Sequence, residues 1–117
     1  MDTNDDRSHE AFQKLQQILS QAIDDAADAV ELEYGDEGLE VTYWFGASGM
    51  GTVLSDRTLA GRVIGLIVDE AELEDRSKGV IAWTHQGKPY NIAVEERESF
   101  GENAYTLRLV KPKRKRA

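Results

Sequence analysis

The chain contains no cysteine, which excludes disulfides, thiolate metal sites and a cysteine nucleophile together. It has only two prolines, Pro89 and Pro112, so long stretches carry no hard break in helix or strand. No apolar run approaches the roughly 18 residues of a membrane-spanning helix, and the acidic start MDTNDD is the reverse of a signal peptide's basic opening. These absences lead to the expectation of a soluble, cytoplasmic protein without a membrane span, held together by packing alone. Its 117 residues suffice for one domain with a real core and are too few for two.

Catalytic motifs are missing as well. The glycine-rich segment Gly46-Ala47-Ser48-Gly49-Met50-Gly51 invites comparison with a phosphate loop, but a Walker-type loop needs Lys followed by Ser or Thr, and here Thr52 and Val53 follow Gly51. A dinucleotide fingerprint must open a helix directly, whereas helical periodicity resumes only near Asp56. Ser48 is no nucleophile elbow, because Met50 stands where that motif requires glycine. His9 and His85 have no second ligand at metal spacing on their own elements, and His85 reads as a half-exposed sheet residue. The expectation is a protein that is not an enzyme and takes no cofactor or metal.

What is present is acid and periodicity. The formal charge is −8, yet Lys111, Lys113, Arg114, Lys115 and Arg116 crowd the last seven positions, so residues 1–110 hold 22 acids against 9 bases. Such a body repels phosphate backbones and anionic lipid. The tail is the one candidate anion contact, through counterion release from RNA, DNA or lipid. It has no aromatic residues for base stacking, and the body opposes it, so nucleic acid is disfavoured as a partner.

Residues 1–7 are expected to be a disordered N-terminus and 111–117 a disordered basic tail, with a single domain over 8–110. From Ser8, a plausible N-cap, the residues Phe12, Leu15, Leu19, Ala22, Ile23 and Ala26 share one helical face. The period then changes to two. Val30, Leu32 and Tyr34, then Leu39, Val41, Tyr43 and Phe45, alternate with Glu31, Glu33, Glu40, Thr42 and Trp44 around Gly35-Asp36-Glu37-Gly38, as in a hairpin with one apolar and one acidic face. Residues 46–54 read as a flexible connection, or as one that ends in a short extended piece.

A second helix, capped by Ser55 or Asp56, carries Leu59, Val63, Leu66, Ile67 and Leu73. Gly61 and Gly65 within it each cost ~1 kcal/mol against alanine, so either a neighbour comes close or packing holds the helix. That helix is expected to end near Glu74 to Ser77. Three strands then follow, KGVIAWTHQ, KPYNIAVEERE and AYTLRLV, with Tyr90, Ile92, Val94, Tyr105, Leu107 and Leu109 on the core face. Ile81 and Trp83 compete with Val80 and Ala82 for the buried side of the first. The expected fold is α+β: two helices on one face of an antiparallel sheet of about five strands, in the order α-β-β-α-β-β-β.

Trp44 shares a strand face with Glu40 and Thr42. If that face meets solvent, a large aromatic there has the makings of an interface anchor; the alternative is that a terminus or the loop around Met50 covers it.

The chain from Ala26 to Val110 resembles the domain that precedes the ATPase core in type II secretion and type IV pilus assembly ATPases. The likeness lies in the small-residue stretch 26–33, in Gly38-Leu39-Glu40-Val41-Thr42-Tyr43, in a following helix, in Gly79 at a strand start, and in Phe100-Gly101-Glu102 ahead of Leu107-Arg108-Leu109. The departures shape what it implies. Family arginines of the second and fourth strands are replaced by Thr42, Trp44 and Ala93, Gly46-Ala47 and Arg76-Ser77-Lys78-Gly79 stand for other family motifs, and of the strand arginines only Arg108 remains. The expectation is a stand-alone domain without the P-loop domain. The resemblance therefore implies the fold without the motor: a protein-interaction or regulatory module whose candidate interface is Trp44, Thr42, Glu40 and Arg108 and whose partner is a protein, such as a secretion or pilus component. A second reading is a small acidic chaperone similar to those of type III secretion, although AYTLRLV reads as strand where such chaperones have a final helix.

Overall fold

A computed structural model describes residues 3–99 and 101–110. It contains two helices, α1 (Thr3–Asp24) and α2 (Arg57–Glu70). Six strands accompany them: β1 (Ala29–Gly35), β2 (Gly38–Phe45), β3 (Ser48–Leu54), β4 (Lys78–His85), β5 (Lys88–Ser99) and β6 (Glu102–Val110). All neighbouring strands are antiparallel, in the order β3-β2-β1-β6-β5-β4. The chain starts in the middle of the sheet, steps outward to β3, crosses to the opposite edge through α2, and steps back until β6 closes on β1.

The α+β class and the pair of helices agree with the sequence reading. The sheet has six strands, not five, and the order is α-β-β-β-α-β-β-β, because residues 48–54 form β3 rather than a flexible connection. Gly46 supplies the reason. It sits at φ +63° as the first central residue of a two-residue turn that sets Ser48 opposite Phe45, the geometry a tight hairpin demands. The helix limits also shift. Ser8 lies inside α1 rather than capping it, and α2 ends at Glu70. The tail 111–117 lies outside the described residues.

Both helices stop in the same way. Ala26 and Glu72 adopt left-handed φ values of 59° and 55°. The next residue of each turn bonds back to the helix, Ala27 N to Ala22 O at 2.9 Å and Leu73 N to Val68 O at 2.9 Å. These are Schellman closures with a side chain where glycine is usual. Ala27 and Leu73 are buried just beyond them, which ties each helix end to the core. At the other end of α2 the Asp56 carboxylate accepts from Leu59 N at 3.0 Å, as an N-cap should.

The core forms between the helices and one face of the sheet. Leu15, Leu19 and Ala22 from α1 and Ala60, Val63 and Ile67 from α2 meet Val30, Leu32, Leu39, Val41, Ile92, Val94 and Leu107. In β4 the buried side is Ile81, with Trp83 half-buried against Phe12 at 5.9 Å between rings, while Val80 is 56% exposed. Gly79 explains that orientation. A Cβ there would overlap the Ala71 carbonyl oxygen, so the end of α2 seats directly on the strand and fixes its register face. Gly61 and Gly65 have open space around them, so of the two readings packing is the one that holds α2.

Candidate functional site on the open sheet face

No described helix covers the second face of the sheet. Strand alternation puts onto it every other residue of each strand, and pairing arranges them in rows. One row runs Gly49, Trp44, Ala29, Arg108, Ala93, Val80 from edge to edge. The next runs Gly51, Thr42, Glu31, Thr106, Glu95, Lys78. Glu40 stands beside Glu33 and Val53 in a third. The four residues singled out from the sequence, Trp44, Thr42, Glu40 and Arg108, thus share one face, and Trp44 and Arg108 flank Ala29 from either side.

Trp44 is half-buried, and its cover comes from β3. A Cβ on Gly49 would lie 3.0 Å from the ring, so the benzo end of the indole reaches over the glycine, where any side chain would crowd it. Trp83, on the other face, is the indole that joins the core.

The three outward glutamates of the first hairpin would repel one another on a bare surface. Arg97 of β5 prevents this. Its guanidinium pairs with Glu31 and lies 3.9 Å from Glu33, reaching across β6 where Ala104, directly opposite Arg97, is too small to obstruct it. Lys78 and Glu95 form a second cross-strand pair at 3.7 Å. Sequence reasoning missed Arg97, although its place in the alternation of Glu95, Arg97 and their inward neighbours Val94 and Glu96 was a usable signal. Counted this way, the face carries Glu31, Glu33, Glu40, Glu95 and Glu102 against Lys78, Arg97 and Arg108, a smaller acidic excess than that of the body as a whole.

Arg108 is exposed and has no carboxylate partner among the described residues. With Arg76 and Lys78 it rims a shallow depression over Val80 and Ala93. Glu95 also lines it and pairs with Lys78, and Arg76 pairs with Glu72, so over the apolar floor Arg108 is the charge open to a partner's carboxylate, which suits an apolar side chain flanked by an acidic one.

His85 departs from its expected half-exposed role. Its side chain is only 13% exposed; Nε2 lies 2.8 Å from Asp24 Oδ1 and Nδ1 lies 3.5 Å from Ser20 Oγ. Ser, His and Asp here do not make a nucleophilic triad. The serine contact is long for proton transfer, and Ser20 sits within a regular helix, whose backbone N–H groups are committed to the helix and not available as an oxyanion hole. The arrangement latches the last turn of α1 to the end of β4. On the core face, Tyr105 donates to Glu96 at 2.7 Å and Asn103 donates to the same carboxylate at 2.9 Å. Burial, and then the bond to Glu96, push the Tyr105 hydroxyl up to about 12.

Among the described residues no group of three or more His, Asp or Glu is placed to hold a metal ion, no polar or charged residue is classed as buried, and no helix is long and apolar enough to cross a membrane. No family model matches the chain, and no curated protein matches it.

Proposed function

We propose that this chain is a non-enzymatic protein-interaction or regulatory module that receives a protein partner on the open face of its sheet. The observation that carries the reading is the face itself: a partly apolar surface with Trp44 at one side, at the centre an Arg108 with no carboxylate partner among the described residues, and an exposed Val80 at the other, on a strongly acidic body. Soluble domains rarely leave such a patch without use. The resemblance to the domain ahead of the motor in secretion and pilus ATPases supports the same view, since Thr42, Trp44 and Ala93 stand where cationic residues would meet phosphate. The partner best matched to the face presents an apolar side chain over Ala93 and a carboxylate to Arg108.

Two measurements test it. Calorimetric titration with ATP is expected to give no binding tighter than millimolar; a clear isotherm would remove the proposal. Capture from an extract of the source cells is expected to yield a partner that Val80→Glu and Ala93→Arg both lose and that an exposed helix variant, Gln16→Ala, retains. Equal capture by all forms would move the site elsewhere.

A further inference from the structure

The two edges of the sheet are guarded differently. β4 opens with Lys78, a charge that hinders strand addition, whereas β3 reads SGMGTVL, without charge, proline or bulge. Six of its seven residues are exposed. Of the four exposed large hydrophobic residues among those described, two lie on this strand: Met50 at 68% and Val53 at 43%.

Its free backbone groups follow from the pairing. Gly35 faces Gly38 across the two-residue Asp36-Glu37 turn, so the bonded pairs of β1 and β2 fall at Gly38, Glu40, Thr42 and Trp44. The alternate residues of β2 then bond Ser48, Met50, Thr52 and Leu54. That leaves the N–H and C=O groups of Gly49, Gly51 and Val53 pointing out of the sheet. These three positions are symmetric about Gly51, the middle of the strand.

We infer that β3 pairs antiparallel with β3 of a second copy of this chain, about a two-fold axis through Gly51. In that register Gly51 faces its own counterpart, and Gly49 of each copy exchanges backbone bonds with Val53 of the other. A two-fold contact of this kind must be self-complementary, and both faces of the seam meet the requirement. On the open face, Val53 of one copy falls opposite Gly49 of the other, against the Trp44 ring that already lies over that glycine. On the helix face, Met50 of one copy stands beside Thr52 of the other, at the lip of a groove floored by Tyr43 and Phe45 and walled by Ile18 with the polar Lys14, Gln17, Gln21 and Asp25 around it. Both exposed apolar side chains of β3 gain cover. Charge points the same way, since an uncharged strand is where two copies of an acidic chain approach with least repulsion. The glutamate nearest the seam, Glu40, lies across Val53 from it, away from the axis.

Sedimentation velocity over a range of protein concentrations tests the inference. The unmodified chain is expected to reach a dimer. Val53→Lys, which places a guard on the edge, and Gly51→Pro, which removes an outward N–H that no strand of this chain uses, are both expected to run as monomers with an unchanged far-UV spectrum. A monomer at all concentrations overturns the inference, as does a dimer that survives Val53→Lys. If Gly51→Pro unfolds, Val53→Lys alone decides. Neither position touches Val80 or Ala93, so loss of dimer and loss of partner capture remain separate results.

Discussion

The two faces of the sheet are built from the same strands and follow opposite rules. On the helix face, Val30, Leu32, Val41, Ile92 and Leu107 are buried to 2% exposure or less, and each is held by what surrounds it. On the open face, Trp44, Arg108, Ala93 and Val80 lie beside their cross-strand neighbours with no described helix over them, and the glutamates are offset by the reach of Arg97 and by the Lys78–Glu95 pair. The first face answers to the fold and the second to whatever it meets. If that division is right, substitutions should be costly on one side and nearly silent for stability on the other.

The largest difference is expected between Leu32→Ala and Val80→Ala. Truncating a fully buried leucine should lower the unfolding free energy by ~2–5 kcal/mol, whereas Val80→Ala should stay within ~0.5 kcal/mol, both read from urea melts. Comparable losses would mean that the open face is covered.

Gly79→Ala sharpens the comparison at the point where α2 seats on β4. The added methyl would overlap the Ala71 carbonyl, so a loss of ~1–3 kcal/mol is expected. The same change at Gly61, where space is open, should instead raise the thermal midpoint.

The helix ends give a smaller effect of opposite sign. Ala26→Gly and Glu72→Gly relieve left-handed strain, and each should stabilise by ~1 kcal/mol.

The smallest effect is a pH dependence confined to alkaline solution. The Tyr105 hydroxyl titrates above its unfolded value, so the protonated folded form is favoured. That contribution is complete below pH ~10 and is lost as pH rises towards the folded value. Tyr105→Phe should flatten the decline in stability across that window, measured by denaturant melts at stepped pH.

How much could be read from the sequence follows the same division. Period-two alternation in Val30 to Phe45 and helical periodicity in Phe12 to Ala22 exposed the helix face, because burial selects apolar residues at fixed spacing. Strand β3 escaped, since an exposed edge strand has no buried side to mark it and its glycines look like a loop. In β4 the pattern was ambiguous because Val80 and Ala82 are as apolar as the residues that turn inward; the close seat of α2 on Gly79 decides. Trp44, Thr42, Glu40 and Arg108 could be named from alternation, but the row joining Trp44 to Arg108 depends on β6 pairing with β1, a long-range contact that no local spacing encodes. Arg97 and the His85 latch to Asp24 were hidden for the same reason.

The central claim is that the open face exists to be covered by another protein. It is tested most directly by placing a photo-activated cross-linking residue at position 93 and, in a parallel sample, at the exposed helix position 16, and irradiating both in an extract of the source cells. The account predicts a discrete adduct from position 93 that position 16 does not give. Identical products from the two positions, or none from 93, would contradict it.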